Sequence, residues 1–340
     1  MTHPLWNWLL FGAVVALAIV IDLVAHREDR EESQRRAYLW SALWIAVGLG
    51  FGVFVWAQWG PAMAQEYLAA YLIEKSLSLD NLFVFLVIFS TLKIPRRLQR
   101  MVLVWGILGA LFFRAVFIFL GAAAIERWDW VAYVFGALLL FTAWRIFRDD
   151  PLADRESRIG SWISQHLPVT AETHGHHFLV RRGGRRMATP LLVALLAIEV
   201  TDILFAIDSV PAAFAVTHDR FILYSSNAFA ILGLRALYIA LAGTLERFKY
   251  LHYGLALILA FAAVKLILND QIHVPPFLSV ALIAAVLVAS IAFSLLLTRS
   301  EEGASADPEG DRSSQGSPPS RRQEDAQPGP APGRVGRGRT

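Results

Sequence analysis

The sequence predicts an all-α membrane protein that crosses a lipid bilayer about nine times, and two observations predict this class. Apolar residues make up 56% of the 340 residues and charged residues only 17%, whereas a typical soluble domain has about 25% charged residues. The apolar residues are also gathered in runs of about 18 to 25 residues, the length at which an α-helix spans a bilayer. A fully soluble fold is therefore excluded.

Nine apolar runs are long enough to be membrane spans. No Lys or Arg precedes the first run, so that run resembles a retained helix more than a cleaved signal peptide. The approximate limits of the spans are 6–25, 37–57, 66–90, 100–124, 130–147, 189–216, 222–244, 250–269 and 277–298.

Positive charge alternates between the loops that join these spans. The first loop contains Arg35 and Arg36, whereas the second, residues 58–65, has no Lys or Arg. The third, fifth and seventh loops and the C-terminal tail are again basic, and the eighth loop, 270–276, is not. Because basic loops stay in the cytoplasm, we expect a protein of the cytoplasmic (inner) membrane with its N-terminus outside and its C-terminus in the cytoplasm.

Composition also limits the chemistry. The chain has no cysteine, so it has no disulfide, no thiolate nucleophile and no zinc–sulfur site. Its net charge of +3 is explained by the basic loops, and we expect no nucleic-acid partner. Neither His-Glu-x-x-His nor Gly-x-Ser-x-Gly occurs, so we expect no enzymatic activity and no bound cofactor.

The chain is predicted to consist of one membrane domain and one tail. The membrane domain covers residues 1–298 and contains a long cytoplasmic loop at about 148–188, which offers a surface for protein partners. Residues 299–340 are predicted to be a disordered cytoplasmic tail, because they are rich in Pro and Gly and have almost no bulky apolar residues to bury.

The long loop has two local features. Ile159 and Trp162 predict a short helix on the membrane interface, together with Ile163. A cluster of histidines follows, and neighbouring histidines in a loop are usually solvated, so a metal role is the less favoured interpretation. The cluster consists of His174, His176 and His177.

Nine charged residues lie inside the predicted spans, away from the span ends. A charge at the centre of a membrane helix costs roughly 2.5–3.5 kcal/mol. So many charges must face the interior of the bundle, pair with one another or line a wet cavity, and such residues mark a transport pathway by default. They are Glu74, Lys75, Asp80, Arg114, Glu199, Asp202, Asp208, Arg235 and Lys265.

The third and sixth spans repeat one pattern of acids: an acid, five residues, then Asp followed by Asn or Ser. Glu199, one turn before the second copy of the pattern, has no counterpart in the first. The pattern matches Glu74 with Asp202, Asp80 with Asp208, and Asn81 with Ser209.

The likeness extends over three spans on each side, residues 66–147 and 189–269. Arg114 in the fourth span corresponds to Arg235 in the seventh. The charge rule makes the third and sixth spans run in opposite directions. The sequence therefore predicts an inverted repeat, the arrangement of many secondary transporters, with a site near the middle of the membrane.

Helical geometry limits how the repeated acids can act. Six residues on a regular helix rise by about 9 Å and turn by roughly 240°, so the two acids of one span cannot share a ligand on a straight helix. Either the helix breaks, as Pro211 would permit, or each acid meets a partner from the other span. The alternative to a ligand role is structural ion pairing with Lys75, Arg114 and Arg235.

Three stretches, residues 74–81, 199–212 and 226–235, closely resemble the TerC/Alx family of integral membrane proteins, and the likeness covers roughly residues 6–298. The resemblance implies a member of the lysine-exporter-like superfamily that is associated with tellurium resistance and whose better-supported activity is manganese export. It also implies that seven residues line the metal pathway: Glu74, Asp80, Asn81, Glu199, Asp202, Asp208 and Ser209.

Carboxylate and amide oxygens without thiolates suit hard cations such as Mg²⁺, Ca²⁺ or Mn²⁺. With the resemblance, this chemistry favours export of a divalent metal, Mn²⁺ above the others, and the same acids could carry protons in the other direction. Two alternatives stay open. One is a membrane assembly or metalation factor for exported proteins that transports nothing itself, and the other is a tellurite- or stress-resistance component of the membrane.

Overall fold

The computed structural model describes residues 3–25, 33–148, 169–170, 175–182, 185–241, 251–268 and 274–305. Within these ranges the chain is all-α except for one β-hairpin, which confirms the predicted class of polytopic α-helical membrane protein. The elements are α1 (Leu5–Ala25), α2 (Gln34–Trp59), α3 (Pro61–Thr91), α4 (Arg96–Arg127), α5 (Trp130–Arg148), β1 (Leu179–Arg182), β2 (Arg185–Ala188), α6 (Pro190–Phe214), α7 (Arg220–Ile231), α8 (Leu234–Leu241), α9 (Leu251–Ile267) and α10 (Pro276–Ser305).

Local sequence determines where several helices begin. Pro61, Pro190 and Pro276 open α3, α6 and α10, at positions where the missing N–H would have had no helical partner. Asp219 precedes α7, and its carboxylate accepts hydrogen bonds from the backbone N–H groups of Phe221 and Ile222, as an N-cap residue does.

Seven segments of the described chain are long and apolar enough to cross a membrane: α1, α2, α4, α5, α6, α7 with α8, and the first part of α10. Two of the nine predicted spans do not meet this measure. Helix α3 has 31 residues but includes four charged side chains, and α9 has only 17 residues. Their crossing of the membrane stays a prediction.

The structure supports the predicted seventh span as a candidate membrane segment, Arg220–Leu241, but shows that it is interrupted. The sequence predicts one continuous helix over 222–244, but α7 ends at Ile231 and α8 begins at Leu234. Gly233 has a φ of +83°, which a residue with a side chain rarely adopts. A Cβ at this position would also lie 2.5 Å from Trp44 Cβ on α2. The close approach of α2 and the left-handed glycine together explain the break.

The sixth span is not broken at Pro211. Helix α6 continues through Pro211 to Phe214, and α3 is continuous past residues 74–81. Pro211 lies in the last turn of α6, where the lost hydrogen bond disturbs little of the helix. Helical geometry left two alternatives, a broken helix or partners from other helices. Because neither helix is broken, the acids must meet partners from other helices.

The centre of the bundle consists of α3 and α6, which contact each other. Helix α4 packs on α6 while α7 packs on α3, and α5 and α9 pack on each other. Each predicted three-helix unit thus packs its second helix on the first helix of the other unit, as two related units would. The inversion of the repeat stays a prediction. Exposed large apolar side chains on α1, α2, α4 and α5 form the surface that contacts the lipid bilayer.

Outside the helices, the described part of the long loop at about 148–188 forms a feature that the sequence did not predict. Strands β1 and β2 pair antiparallel, with Val180 opposite Met187 and Arg181 opposite Arg186. The predicted interfacial helix at Ile159 lies outside the described residues.

The C-terminal part of the chain is described only to Ser305. The contacts divide the chain into two units, residues 1–298 and 299–340. Helix α10 continues past the predicted end of the ninth span at residue 298. The disorder predicted for the rest of the tail lies outside the described residues.

Replacing Gly136 by Ala is expected to destabilise the packing of α5 on α9. A Cβ at Gly136 would lie 2.3 Å from Ile267 Cγ1, and forcing a methyl group into a packed core typically costs about 1–3 kcal/mol. Thermal melting in detergent measures the effect. Gly12→Ala is the matched control, because nothing lies within 4 Å of a Cβ there. Equal melting temperatures of the two variants would contradict this packing.

Reporters placed on either side of α10 test the predicted topology. We expect a reporter after Arg299 to be cytoplasmic and one inserted in the 270–276 loop to be external, because the loop charges alternate. If both reporters lie on the same side, α10 does not cross the membrane, and the predicted odd number of crossings is wrong.

Candidate functional site

A buried arginine joins three helices at the centre of the bundle. Arg114 on α4 is fully buried, and its guanidinium pairs with Glu74 of α3 and Asp202 of α6. The Nε and Nη2 atoms of Arg114 lie 3.4 and 3.3 Å from the two carboxylate oxygens of Asp202. Its Nη1 also donates to Ser209 Oγ at 3.2 Å. We call these four residues the Arg114 cluster.

Helical spacing and the internal repeat explain which residues reach Arg114. Ser209 follows Asp202 by seven residues, so the two lie on one face of α6, two turns apart. Glu74 and Asp202 are the acids that the repeat matches with each other. Acids at matching positions of the two predicted repeats therefore contact one arginine, and Asp202 of α6 meets its partner on α4.

The Arg114 cluster carries more negative than positive charge. Two carboxylates share one guanidinium, and Glu74 Oε1 is buried without a hydrogen-bond partner among the described residues. Buried polar atoms without partners are rare in proteins and call for an explanation. The cluster has the charge and the free lone pairs to accept a further cation.

A polar stripe continues from Glu74 along α3. Ser78 and Asn81 follow Glu74 at spacings of four and seven residues, which places them on the same face. Ser78 Oγ and Asn81 Oδ1 are buried and have no partner in the part of the chain that the structure describes. With Arg114 and Asp202, they line a cavity of about 10 Å³, close to the minimum that holds one water molecule.

Glu199 lies beside the cluster rather than in it. It precedes Asp202 by one turn of α6, and its Oε2 is buried with no partner among the described residues. Its carboxylate lies directly against Gly109 of α4, because a Cβ at Gly109 would be 1.9 Å from Glu199 Oε1. Any larger residue at position 109 would make the Glu199 carboxylate move.

Asp208, one of the predicted site residues, lies apart from the cluster, and the side chain of Asp80 is outside the described structure. Asp208 is half-buried and accepts a hydrogen bond of 2.9 Å from Thr142 Oγ1 on α5, on a different side of α6 from Asp202. This agrees with the 240° turn that separates the two acids. The backbone of Asp80 lies in α3, but its side chain is outside the described part of the structure.

Arg235 and the two lysines are bound elsewhere. Arg235 Nη2 lies 2.9 Å from Asp22 Oδ1 on α1, an acid outside the repeated pattern. Lys75 Nζ donates to the carbonyl oxygen of Ala230, and Lys265 Nζ to Ser279 Oγ. The structural alternative, in which arginines neutralise the repeated acids, is therefore seen for Arg114, whereas the acid that the described structure shows beside Arg235 is Asp22.

Metal-type ligands are sparse in the described structure. No three His, Cys, Asp or Glu side chains within it come together as a group that could hold a metal ion. Any metal bound at the Arg114 cluster would therefore use two carboxylates together with neutral oxygens such as Ser209 Oγ or Asn81 Oδ1, a donor set that fits Mg²⁺ or Mn²⁺. The predicted metal roles of the seven residues stay predictions.

The loop histidines that the structure describes are exposed. His176 and His177 face solvent, and the carbonyl oxygen of His177 accepts a hydrogen bond from Thr189 Oγ1. His174 lies outside the described residues.

A second polar group, which the sequence analysis missed, lies where α6 joins α7. His3 Nε2 is 2.8 Å from Asp219 Oδ2, and a pocket of about 590 Å³ opens beside them. Burial lowers the pKa of the neighbouring His218, and the charge of Lys265 lowers it further. Asp219 directly before a helical run is a recognisable N-cap signal, but its pairing with His3 is not visible in sequence.

Known proteins resemble most of this chain. The profile of the family described as "Integral membrane protein TerC family" matches residues 59–302. An uncharacterized membrane protein of Myxococcus xanthus, STKORF319, is 45% identical over 303 residues, covering 88% of this chain and 95% of the relative. A protein of Escherichia coli (strain K12) named as a membrane-bound redox modulator, Alx, is 42% identical over 301 residues, covering 84% and 92%. No solved structure matches the chain.

Proposed function

Because this chain belongs to the TerC family of integral membrane proteins, we propose that it is a secondary transporter that exports a divalent metal, with Mn²⁺ as its principal cargo. The direction is outward across the cytoplasmic membrane, and the protein acts as a transporter rather than as an enzyme.

The observation that carries the proposal is the Arg114 cluster. Two carboxylates from matching positions of two repeats lie fully enclosed among apolar helices, where charges are costly and are retained mainly for function. Secondary transporters built from repeats bind their cargo at such a midplane position. A single carboxylate would be enough to neutralise Arg114, so the second one supports a role beyond pairing.

The donor atoms support a hard cation as the cargo. The polar side chains around the cluster supply carboxylate, hydroxyl and amide oxygens, and the whole sequence contains no cysteine. Soft metals that prefer thiolates are disfavoured by such a set, whereas Mg²⁺, Ca²⁺ and Mn²⁺ are favoured. Mn²⁺ is the member of this group that also has redox chemistry.

That redox chemistry connects the proposal with the name of the Alx relatives. A chain without cysteine cannot modulate redox state through its own thiols. Changing the cellular level of a redox-active metal is a route that this chain could use, so the name and the proposed cargo are compatible.

Reconstitution tests the proposal. Purified protein in liposomes that enclose a metal-sensitive dye should move Mn²⁺, and a panel with Mg²⁺, Ca²⁺ and Zn²⁺ gives the order of metals. Cells that produce the protein should contain less Mn²⁺ by mass spectrometry than cells without it. Absence of flux for every metal in the panel would reject transport and favour an assembly or metalation role.

A further inference from the structure

The carboxylates that would receive the cargo are already occupied by a guanidinium. Arg114 contacts both Glu74 and Asp202, and a divalent metal held by the same oxygens would lie within a few ångströms of its positive charge. Two such charges repel strongly in a medium of low dielectric constant. Arg114 must therefore leave the carboxylate pair when a metal binds there.

A displaced guanidinium needs another acid, because an unpaired buried charge is strongly destabilising. Glu199 has the required features. It is one turn from Asp202 on α6, its Oε2 is buried, and it has no partner among the described residues. Its carboxylate lies against Gly109, which is on the same helix as Arg114.

The direction of the Arg114 side chain also favours this exchange. Side chains on an α-helix lean toward its N-terminus, and Ala110, one turn before Arg114 on the same face of α4, lines the small cavity beside the arginine. The small cavity next to Arg114 is lined by Gly106 and Ile198, which lie close in sequence to Gly109 and Glu199. The arginine therefore leans toward a cavity that Asp202 also lines, and Glu199 precedes Asp202 by one turn on the same helix.

We propose that Arg114 is a tethered competing cation with two positions. It pairs with Glu74 and Asp202 when no metal is bound, and it moves to Glu199 when a divalent metal takes its place. This inference rests on the proposed function, because it takes the Glu74–Asp202 pair as the place where the cargo binds.

The exchange has a consequence for specificity. Once Arg114 has moved, a divalent ion and two carboxylates form a neutral group, and Arg114 with Glu199 forms a second one. A monovalent ion offers the carboxylate pair no more charge than the guanidinium already does, so it does not displace Arg114. The arginine thus discriminates divalent from monovalent cations without any change in the ligands.

Equilibrium binding of Mn²⁺ to the purified full-length protein tests the exchange. Glu199→Gln removes the second position, so binding should weaken at least tenfold. Arg114→Gln removes the competitor, so binding should tighten at least tenfold. The double variant is decisive: without Arg114 no acceptor is needed, and it should bind Mn²⁺ as tightly as Arg114→Gln alone. Additive effects, as expected if Glu199 is itself a metal ligand, would overturn the exchange.

A spectroscopic measurement covers the case in which Arg114→Gln does not fold. Infrared difference spectra of the protein with isotope-labelled arginine should show a label-sensitive guanidinium band on addition of Mn²⁺ in wild type. That band should be lost in Glu199→Gln. Metal binding without an arginine band in wild type would overturn the exchange.

A matched pair of glycine variants provides the control. Gly109→Ala displaces the Glu199 carboxylate and should weaken Mn²⁺ binding as Glu199→Gln does. Gly50→Ala should have no effect, because nothing lies within 4 Å of a Cβ there. If wild type binds and moves Mn²⁺ and Glu199→Gln changes neither, the exchange is overturned and the proposed function is left intact. A wild-type protein that neither binds nor moves any metal of the panel would overturn both.

Discussion

Glu74→Gln is expected to abolish Mn²⁺ flux while the protein stays folded. The substitution keeps the shape of the side chain and removes one of the two charges that would hold a divalent ion. A buried charge of this kind contributes enough that flux should fall by about 100-fold or more. Arg114 keeps its two contacts with Asp202 at 3.3 and 3.4 Å, so no charge in the cluster is left unpaired.

The measurement compares liposome flux and thermal melting of Glu74→Gln with those of wild type. Glu126→Gln is the matched control, because Glu126 is also a glutamate on a membrane helix but its side chain is 60% exposed and pairs with Arg220. We expect that control to transport normally. Normal flux in Glu74→Gln would remove Glu74 from the cargo pathway and leave it only as a partner of Arg114.

The class of fold could be predicted from the sequence because it depends on length and composition. An apolar run of about 20 residues has few alternatives to a membrane helix. The break at Gly233 could not be predicted in the same way, because an isolated glycine in an apolar run is tolerated in most helices. What decides the break is the approach of Trp44 from α2, a contact between residues far apart in sequence.

The site was predictable in part for a similar reason. The repeated pattern of acids matched Glu74 with Asp202, and both contact Arg114. The turn of the helix separated Asp202 from Asp208, which contacts Thr142 instead. Which partner each acid meets depends on how neighbouring helices are rotated about their axes. One sequence does not contain that rotation, so the pairing of Arg235 with Asp22 was missed.

The contact between Glu199 and Gly109 also could not be predicted from the sequence. In the sequence, Gly109 is an ordinary glycine of an apolar helix, and Glu199 is an acid without a counterpart in the repeat. Their relation appears only when α4 and α6 are packed together. Features that depend on side-chain packing between two helices can be found only in a three-dimensional structure, whereas features of one helix face can be predicted from the sequence.

Arg114→Leu is expected to cause the largest loss of stability among single substitutions in the cluster. It leaves Glu74 and Asp202 as two buried carboxylates without a counter-ion, and breaking such a pair typically costs about 3–5 kcal/mol. Arg220→Leu is the matched control. The Arg220–Glu126 pair is 40% and 60% exposed, and exposed pairs contribute about 0–1 kcal/mol.

Adding Glu74→Gln to Arg114→Leu separates an effect of charge from an effect of packing. The double variant keeps only one unpaired carboxylate, so it should melt at a higher temperature than Arg114→Leu alone and still transport nothing. If the loss of stability came instead from the space that the long arginine side chain fills, the second substitution would give no recovery. Thermal melting of the four proteins in one detergent distinguishes the two causes, and equal melting of Arg114→Leu and Arg220→Leu would contradict the buried ion cluster itself.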